Sequence, residues 1–176
     1  MTEQQPYEVV KGYDGFELRR YPSHLLAVTE VTGSFEGAGN RAFPLLAGYI
    51  GGRNRSRGKV AMTSPVVQEG GGQDGRYVVG FVMPSEYSEE SLPEPADPRV
   101  RTRAVPTQLA AAVRYSGRWS RGSYERHLTR LVEAVKAGGL RVAGPARWAR
   151  YDPPWTPWLM RRNEVVVPVE EAPEAA

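Results

Sequence analysis

The segment Gly37-Ala38-Gly39-Asn40-Arg41-Ala42 has the glycine spacing that lets the start of a helix approach a pyrophosphate. A dinucleotide site of that kind also needs an acidic residue about twenty positions further on, to hold the ribose hydroxyls. No Asp or Glu lies between Glu36 and Glu69, and Pro44 falls inside the helical pattern. These glycines are therefore read as a helix entry. Gly52 to Lys59 resembles a phosphate loop only superficially, because five residues separate Gly52 from Gly58 where four are needed, and Val60 stands where Ser or Thr would hold magnesium. What remains there is four cations in seven residues, Arg53, Arg55, Arg57 and Lys59. Such a cluster can meet phosphates or ligand carboxylates, although a solvated loop is the favoured reading. With no aromatic side chains interleaved, stacking on single-stranded nucleic acid has no support.

Other reactive groups are sparse. Cysteine is absent, which excludes disulfides, thiolate metal sites and cysteine nucleophiles. The two histidines, His24 and His127, are far apart in sequence and form no metal-binding cluster; each is at most a remote axial-ligand candidate. No G-x-S-x-G elbow occurs, and no catalytic residue can be named. Tyr151-Asp152-Pro153-Pro154-Trp155-Thr156-Pro157-Trp158 is a stiff aromatic loop that would either line an apolar pocket or cap one end of the fold.

The elements that would position these groups are short and punctuated by 19 Gly and 15 Pro. Phe16–Tyr21 alternates apolar and charged residues, as a half-buried strand does. Leu25–Val31, Val60–Gln68, Arg76–Met83, Val100–Ala104, Leu109–Tyr115, Arg147–Tyr151 and Asn163–Val169 read as further strands, with a loose hairpin loop over Gly70–Gly75. A helix capped by Ser34 is expected over about Gly37–Ile50, beginning near Phe43 or kinked there by Pro44. A second, over Arg121–Ala137, carries Tyr124, Leu128, Leu131 and Val135 on one face and ends at Gly138-Gly139. Aligning the chain with itself at an offset of 84 matches Arg19 with Arg103, Pro22 with Pro106, Leu25 with Leu109, Ala27 with Ala111 and Gly33 with Gly117. Two copies of a β-β-α-β-β unit are expected from this, about 7–90 and 98–169. Residues 1–6 and 170–176 are expected to be disordered ends of a single domain.

The composition is that of a soluble globular protein, 40% hydrophobic and 24% charged. A net charge of +3, carried by 20 Arg against 3 Lys, does not demand nucleic acid but tolerates an anionic ligand. The polar start of the chain and the lack of an 18-residue apolar run point to a cytoplasmic protein without a membrane span.

Taken together, several blocks resemble the SOUL / haem-binding protein family. They are Tyr7-Glu8-Val9, Phe16 to Tyr21, Ala38 to Phe43 with Leu46 to Gly52, Lys59-Val60-Ala61-Met62-Thr63-Ser64-Pro65-Val66, Met83-Pro84, Tyr151 to Pro154, and Arg161-Arg162-Asn163-Glu164-Val165. The resemblance implies an α+β fold, a distorted antiparallel barrel built from a duplicated unit with two helices packed outside. It implies non-catalytic binding of haem or a related tetrapyrrole, on an apolar patch beside the first helix with basic side chains meeting the propionates. In this sequence those positions are Arg41, Phe43, Leu46, Ala47, Ile50 and Arg53, with Arg55 and Arg57 nearby. The histidine that ligates iron in one branch of the family is matched here by Arg20, so the family's axial ligand is missing.

Two other readings stand beside this one. Doubled domains of this architecture also resemble the drug-binding gyrase-inhibitor-like group, which takes apolar cations or xenobiotics, and a hydrolase could use the same cleft. Either needs an acid in an aromatic cleft, for which Glu164 with Trp155 and Trp158 is the candidate. The last reading is a partner-binding scaffold with an idle pocket; the oligomeric state is left open.

Overall fold

A computed structural model describes residues 2–72 and 74–172. In chain order the elements are β1 (Glu3–Gln4), β2 (Glu8–Tyr13), β3 (Phe16–Tyr21), β4 (His24–Thr32), α1 (Phe35–Ile50), β5 (Thr63–Ser64), β6 (Val66–Gly70) and β7 (Arg76–Val82). They continue with β8 (Arg101–Val105), β9 (Gln108–Tyr115), α2 (Arg121–Ala137), β10 (Leu140–Val142), β11 (Arg147–Arg150), a 3-10 turn (Trp158–Met160) and β12 (Asn163–Glu171).

The strands form one large antiparallel sheet in the order β2-β3-β9-β12-β11-β6-β7-β4-β8, with β10 added to β12. β2 and β8 are its edges, and no ladder joins them among the described residues, so hydrogen bonding does not close the expected barrel. Each half lends a strand to the other: β8 pairs with β4 and β3 with β9. The two registers run in step. Leu25 faces Ala104 and Ala27 faces Thr102, while Leu109 faces Arg20 and Ala111 faces Leu18.

Both helices pack on one face of the sheet. Phe16, Leu18, Ala27, Val79, Ala111 and Val165 point there and meet Phe35, Ala38, Ala42, Leu46, Leu131 and Val135. The opposite face is also buried, through Tyr21, Leu26, Val28, Val67, Ala110 and Val166. Among the described residues no helix covers that second face, so the sheet must curl over it. This explains why β3 is not the half-buried strand its alternation predicts: Arg19 and Tyr21 are as buried as Phe16 and Leu18.

α1 starts at Phe35 and runs unbroken through Pro44 to Ile50. The Ser34 side chain accepts from the Gly37 amide, which supplies the expected cap. Pro44 is tolerated because both it and Asn40, whose carbonyl loses its helical donor, are exposed to water. α2 has the predicted bounds. The predicted strand over Val60–Gln68 divides at Pro65 into β5 and β6, as the missing amide requires. Described residues near both ends of the chain lie in strands. β1 pairs in parallel with β5, and Gln5 is buried, donating its amide to Ser64. Glu170 and Glu171 extend β12 against β10; residues 173–176, and Gln73 of the hairpin loop, lie outside the described residues.

Candidate functional site

On α1, Phe35, Ala38, Ala42, Leu46 and Tyr49 form the stripe that faces the sheet. Beside it runs a second apolar stripe, Phe43, Ala47 and Ile50, at the i, i+4, i+7 spacing of one helix face. Phe43 is 54% exposed, although its ring also leans on Phe81 at 5.9 Å between centroids. Ala47 and Ile50 are half-buried. Leu46, named with these residues from the sequence, has no exposed surface and belongs to the core. The nearby cations lie off this stripe, since Arg41, two residues before Phe43, is turned to another side of the helix, as is Gly48, five residues after it. Arg41 hydrogen-bonds the Thr32 carbonyl oxygen. Arg53 follows the helix and lays its aliphatic stem over Gly48, where a Cβ would lie 3.1 Å from Arg53 Cδ. The loop after α1 is held by Asn54, whose Nδ2 donates to the carbonyls of Tyr49 and Gly58 at 2.9 and 2.7 Å. Arg53 and Arg57 stay exposed on it, with no ion-pair partner among the described residues; Arg55 reaches Glu94 at 3.6 Å.

Neither histidine joins that surface. His24 opens β4, shares a hydrogen with the Pro22 carbonyl at 2.8 Å, and has its pKa lowered by burial. His127 lies on α2, stacked on Tyr115 at 4.0 Å and bonded to the Ser123 carbonyl. Arg20 is an exposed partner of Glu8 at 3.2 Å. Among the described residues no group of three His, Asp or Glu side chains could hold a metal ion.

A second constellation was only partly visible in the sequence. Glu164 on β12 is fully buried, but not among tryptophans. Arg19 on β3 grips it with both terminal nitrogens, Nη1 to Oε1 at 2.7 Å and Nη2 to Oε2 at 2.9 Å. Arg162 adds Nε and Nη2 to the same Oε2, at 3.3 and 3.0 Å, and also donates to Tyr7 Oη. Three tyrosines enclose the charges: Arg19 lies over the Tyr7 ring at 4.0 Å and donates to Tyr21 Oη, and Arg162 lies over Tyr151 at 3.9 Å. Burial pushes the Glu164 carboxyl up, but the Arg19 and Arg162 guanidinium groups outweigh it and the pKa ends below the ordinary value. For Arg19, burial pulls the other way and Glu164 again prevails, so the pKa is raised. A cavity of about 390 Å³ opens beside this network, lined by Tyr7, Glu17, Arg114 and Arg162. Glu164 is thus a carboxylate already neutralised by two arginines, not a free acid awaiting a cation. Trp155 and Trp158, proposed as its neighbours, are exposed on a separate loop and line no cavity with it. The spacing of Arg162 from Glu164 hinted at the network, but Arg19 lies 145 residues away from Glu164 and only the β3-β9-β12 order unites them.

No helix of the described residues is long and apolar enough to cross a membrane. Compared with known proteins, residues 2–168 match the model of the family described as SOUL heme-binding protein. A curated relative, heme-binding protein 1 of Xenopus tropicalis, is 28% identical over 156 residues, spanning 85% of this chain and 81% of that protein. Among solved structures, the EcmrR C-terminal domain superposes with a TM-score of 0.68 at 13% identity, over 94% of this chain and 99% of that one. A hydrolase from Listeria innocua superposes at 0.58 and 13%, over 87% and 91%. At such identities these two similarities concern the fold alone.

Proposed function

Because the chain belongs to the SOUL heme-binding protein family, we propose that it binds haem or a related planar tetrapyrrole on the outer face of α1, without catalysing a reaction. The observation that carries this reading is the outward apolar stripe of Phe43, Ala47 and Ile50; Arg41 and Arg53 are the cations nearest to it in the chain. From residue 41 to 50 the helix extends about 14 Å, a length suited to a flat macrocycle. An aromatic ring and two aliphatic side chains supply apolar contact for such a disc, and guanidinium groups pair with carboxylates in a two-pronged geometry.

The residues present fit the disc and its carboxylates, but they do not fit the iron. His24 and His127 are engaged elsewhere, and Arg20, which matches the ligand histidine of one branch of the family, pairs with Glu8. Binding then rests on the porphyrin faces and propionates, and is indifferent to the metal. Hemin and iron-free protoporphyrin should bind with affinities within about threefold of each other, since no metal–ligand bond separates them. Titration of each, followed at its strong near-ultraviolet band, tests this. Phe43→Asp should weaken both by about tenfold or more. A saturable complex that forms only with the iron porphyrin, or one indifferent to Phe43→Asp, would overturn the reading.

The offset shared by the two exchanged pairings supports a further part of the proposal. Residue pairs in β4-β8 recur in β9-β3 after adding 84 to the first half's numbers: Leu25 and Arg20 become Leu109 and Ala104. This is what two copies that traded their first strands would leave behind.

A further inference from the structure

Arg150 carries a largely buried charge with no counter-charge among the described residues. It follows Trp148 by two residues on β11 and so points to the helix face of the sheet. Its guanidinium carbon lies 4.7 Å from the Trp148 ring centre and 5.0 Å from that of Trp119. Aromatic faces offset part of the cost of taking a cation out of water, but they leave its N–H donors unpaired. Nε is buried without a hydrogen-bond partner, and Nη1 and Nη2 donate to no oxygen among the described residues. The acids that could serve are committed elsewhere. Asp152 accepts from the Arg162 amide, Glu36 from the Arg121 amide, and Glu164 from Arg19 and Arg162. Burial therefore acts alone and pulls the Arg150 pKa down to about 10, where an acidic neighbour would have raised it. The group is still a cation at neutral pH. Buried donors in folded proteins are nearly always paired, so this one has room for an acceptor from outside the chain.

The place of this cation names the acceptor. Its guanidinium rests on Gly39 of α1, where a Cβ would collide with Nη2 and lie 2.9 Å from Nη1. Only a residue without a side chain lets the group settle there. Gly39, Phe43, Ala47 and Ile50 follow one another at i, i+4, i+8 and i+11, so Gly39 heads the outer stripe, one turn or about 6 Å before Phe43. Arg41 and Arg53 are turned off that stripe, and Arg41 is already bound to the Thr32 carbonyl oxygen. Arg150, brought from the other half of the chain, stands on it. We propose that Arg150 is the anion anchor of this surface, its guanidinium at Gly39 pairing with a propionate carboxylate of a ligand whose ring rests on Phe43, Ala47 and Ile50. The inference rests on the reading of that stripe as a tetrapyrrole surface, and it adds the residue that selects a porphyrin with free carboxylates over a neutral one. A carboxylate supplies both the missing counter-charge and acceptors for Nη1 and Nη2. A neutral ligand covering the same stripe would leave the charge unpaired and further desolvated, which discriminates against it.

Titration of the full chain with protoporphyrin and with its dimethyl ester, which has the same ring and no carboxylate, tests the assignment; both are supplied from the same co-solvent. Arg150→Met should weaken protoporphyrin binding by about tenfold or more, as loss of a charged hydrogen-bonded pair does, and change ester binding by less than about twofold. Gly39→Ala displaces the guanidinium while keeping every core side chain, and should weaken protoporphyrin by at least about threefold without weakening the ester; it decides the question if Arg150→Met does not fold. Apolar contact alone predicts the opposite for Gly39→Ala, because the added methyl lies on the stripe. Phe43→Asp, run alongside, should weaken both ligands. Protoporphyrin binding that responds to Phe43→Asp but not to Arg150→Met overturns this inference and leaves the tetrapyrrole reading standing. Equal loss of both ligands in Arg150→Met makes the arginine a structural clamp between the tryptophans and overturns it too. Absence of saturable binding by the unaltered chain, or indifference to Phe43→Asp, removes the reading and this inference together.

Discussion

Replacing Arg19 by Met removes one half of a buried ion pair whose other half cannot reach water. Glu164 has no exposed surface, and its Oε1 has Arg19 Nη1 as its one donor. Oε2 keeps the two bonds from Arg162. Stranding a buried charge costs about 3–5 kcal/mol, and the surviving Arg162 contacts place Arg19→Met near the lower end, about 3 kcal/mol. Glu164→Met strands Arg19 instead, which keeps Glu17 at 3.0 Å and Tyr21 at 2.9 Å, and should cost a similar about 3 kcal/mol. The double variant removes both members of the pair and leaves only the partly exposed Arg162 without its carboxylate, so it should cost no more than about 3 kcal/mol, giving a coupling of at least about 3 kcal/mol. Urea unfolding of the four proteins at pH 7 closes the cycle. The sign of the pH dependence follows from the carboxyl. Its folded pKa lies below the unfolded one, so its contribution is complete above about pH 4.3 and is lost as pH falls through the folded value. In Arg19→Met, burial is opposed by Arg162 alone and the folded pKa rises. The gap between wild type and variant should therefore narrow on acidification. A coupling under about 0.5 kcal/mol, or a gap that widens towards pH 4, would refute the reasoning.

Leu46→Ala should lower stability by about 2–5 kcal/mol, through the cavity left in the core, while Phe43→Asp, which gives up a half-exposed ring on Phe81, should cost only about 1–2 kcal/mol; calorimetry on both distinguishes the inner stripe of α1 from the outer. Gly70 has φ +97°, and a Cβ there would sit 2.6 Å from the Arg76 carbonyl oxygen across the hairpin, so Gly70→Ala should cost about 1–3 kcal/mol in a chemical melt. Trp119→Phe removes the 2.8 Å bond from Nε1 to the fully buried Asn163 Oδ1 and should cost about 1–3 kcal/mol, measured the same way.

Much of the fold was legible because local pattern and tertiary role coincide. α2 shows its buried stripe as a plain periodicity, and its bounds follow from the Ser120 and Gly138 caps. β2 escaped notice because an edge strand with Val9 and Val10 both exposed carries no alternation. Of the two expectations for Pro44, a start near Phe43 fails, because the stripe from Phe35 to Tyr49 outweighs one lost hydrogen bond on the wet side. Closure was over-read: the strands are present, but whether two edges pair is decided by curvature that no single strand encodes. At the candidate site, the helix residues were placed correctly on α1, yet sequence spacing did not separate Leu46, one residue before Ala47, as a core position. Glu164 was singled out for its chemistry, but its true partners are contributed by strands distant in sequence, and the tryptophans adjacent in sequence point elsewhere.

The central claim is that the outer face of α1 receives the tetrapyrrole, and amide chemical-shift mapping with iron-free protoporphyrin tests it most directly, since that ligand causes no paramagnetic broadening. The shifts should concentrate between Arg41 and Arg53 and follow one saturable isotherm. Shifts gathered instead around Tyr7, Arg19 and Arg162, or on the Trp155–Met160 loop, would contradict it.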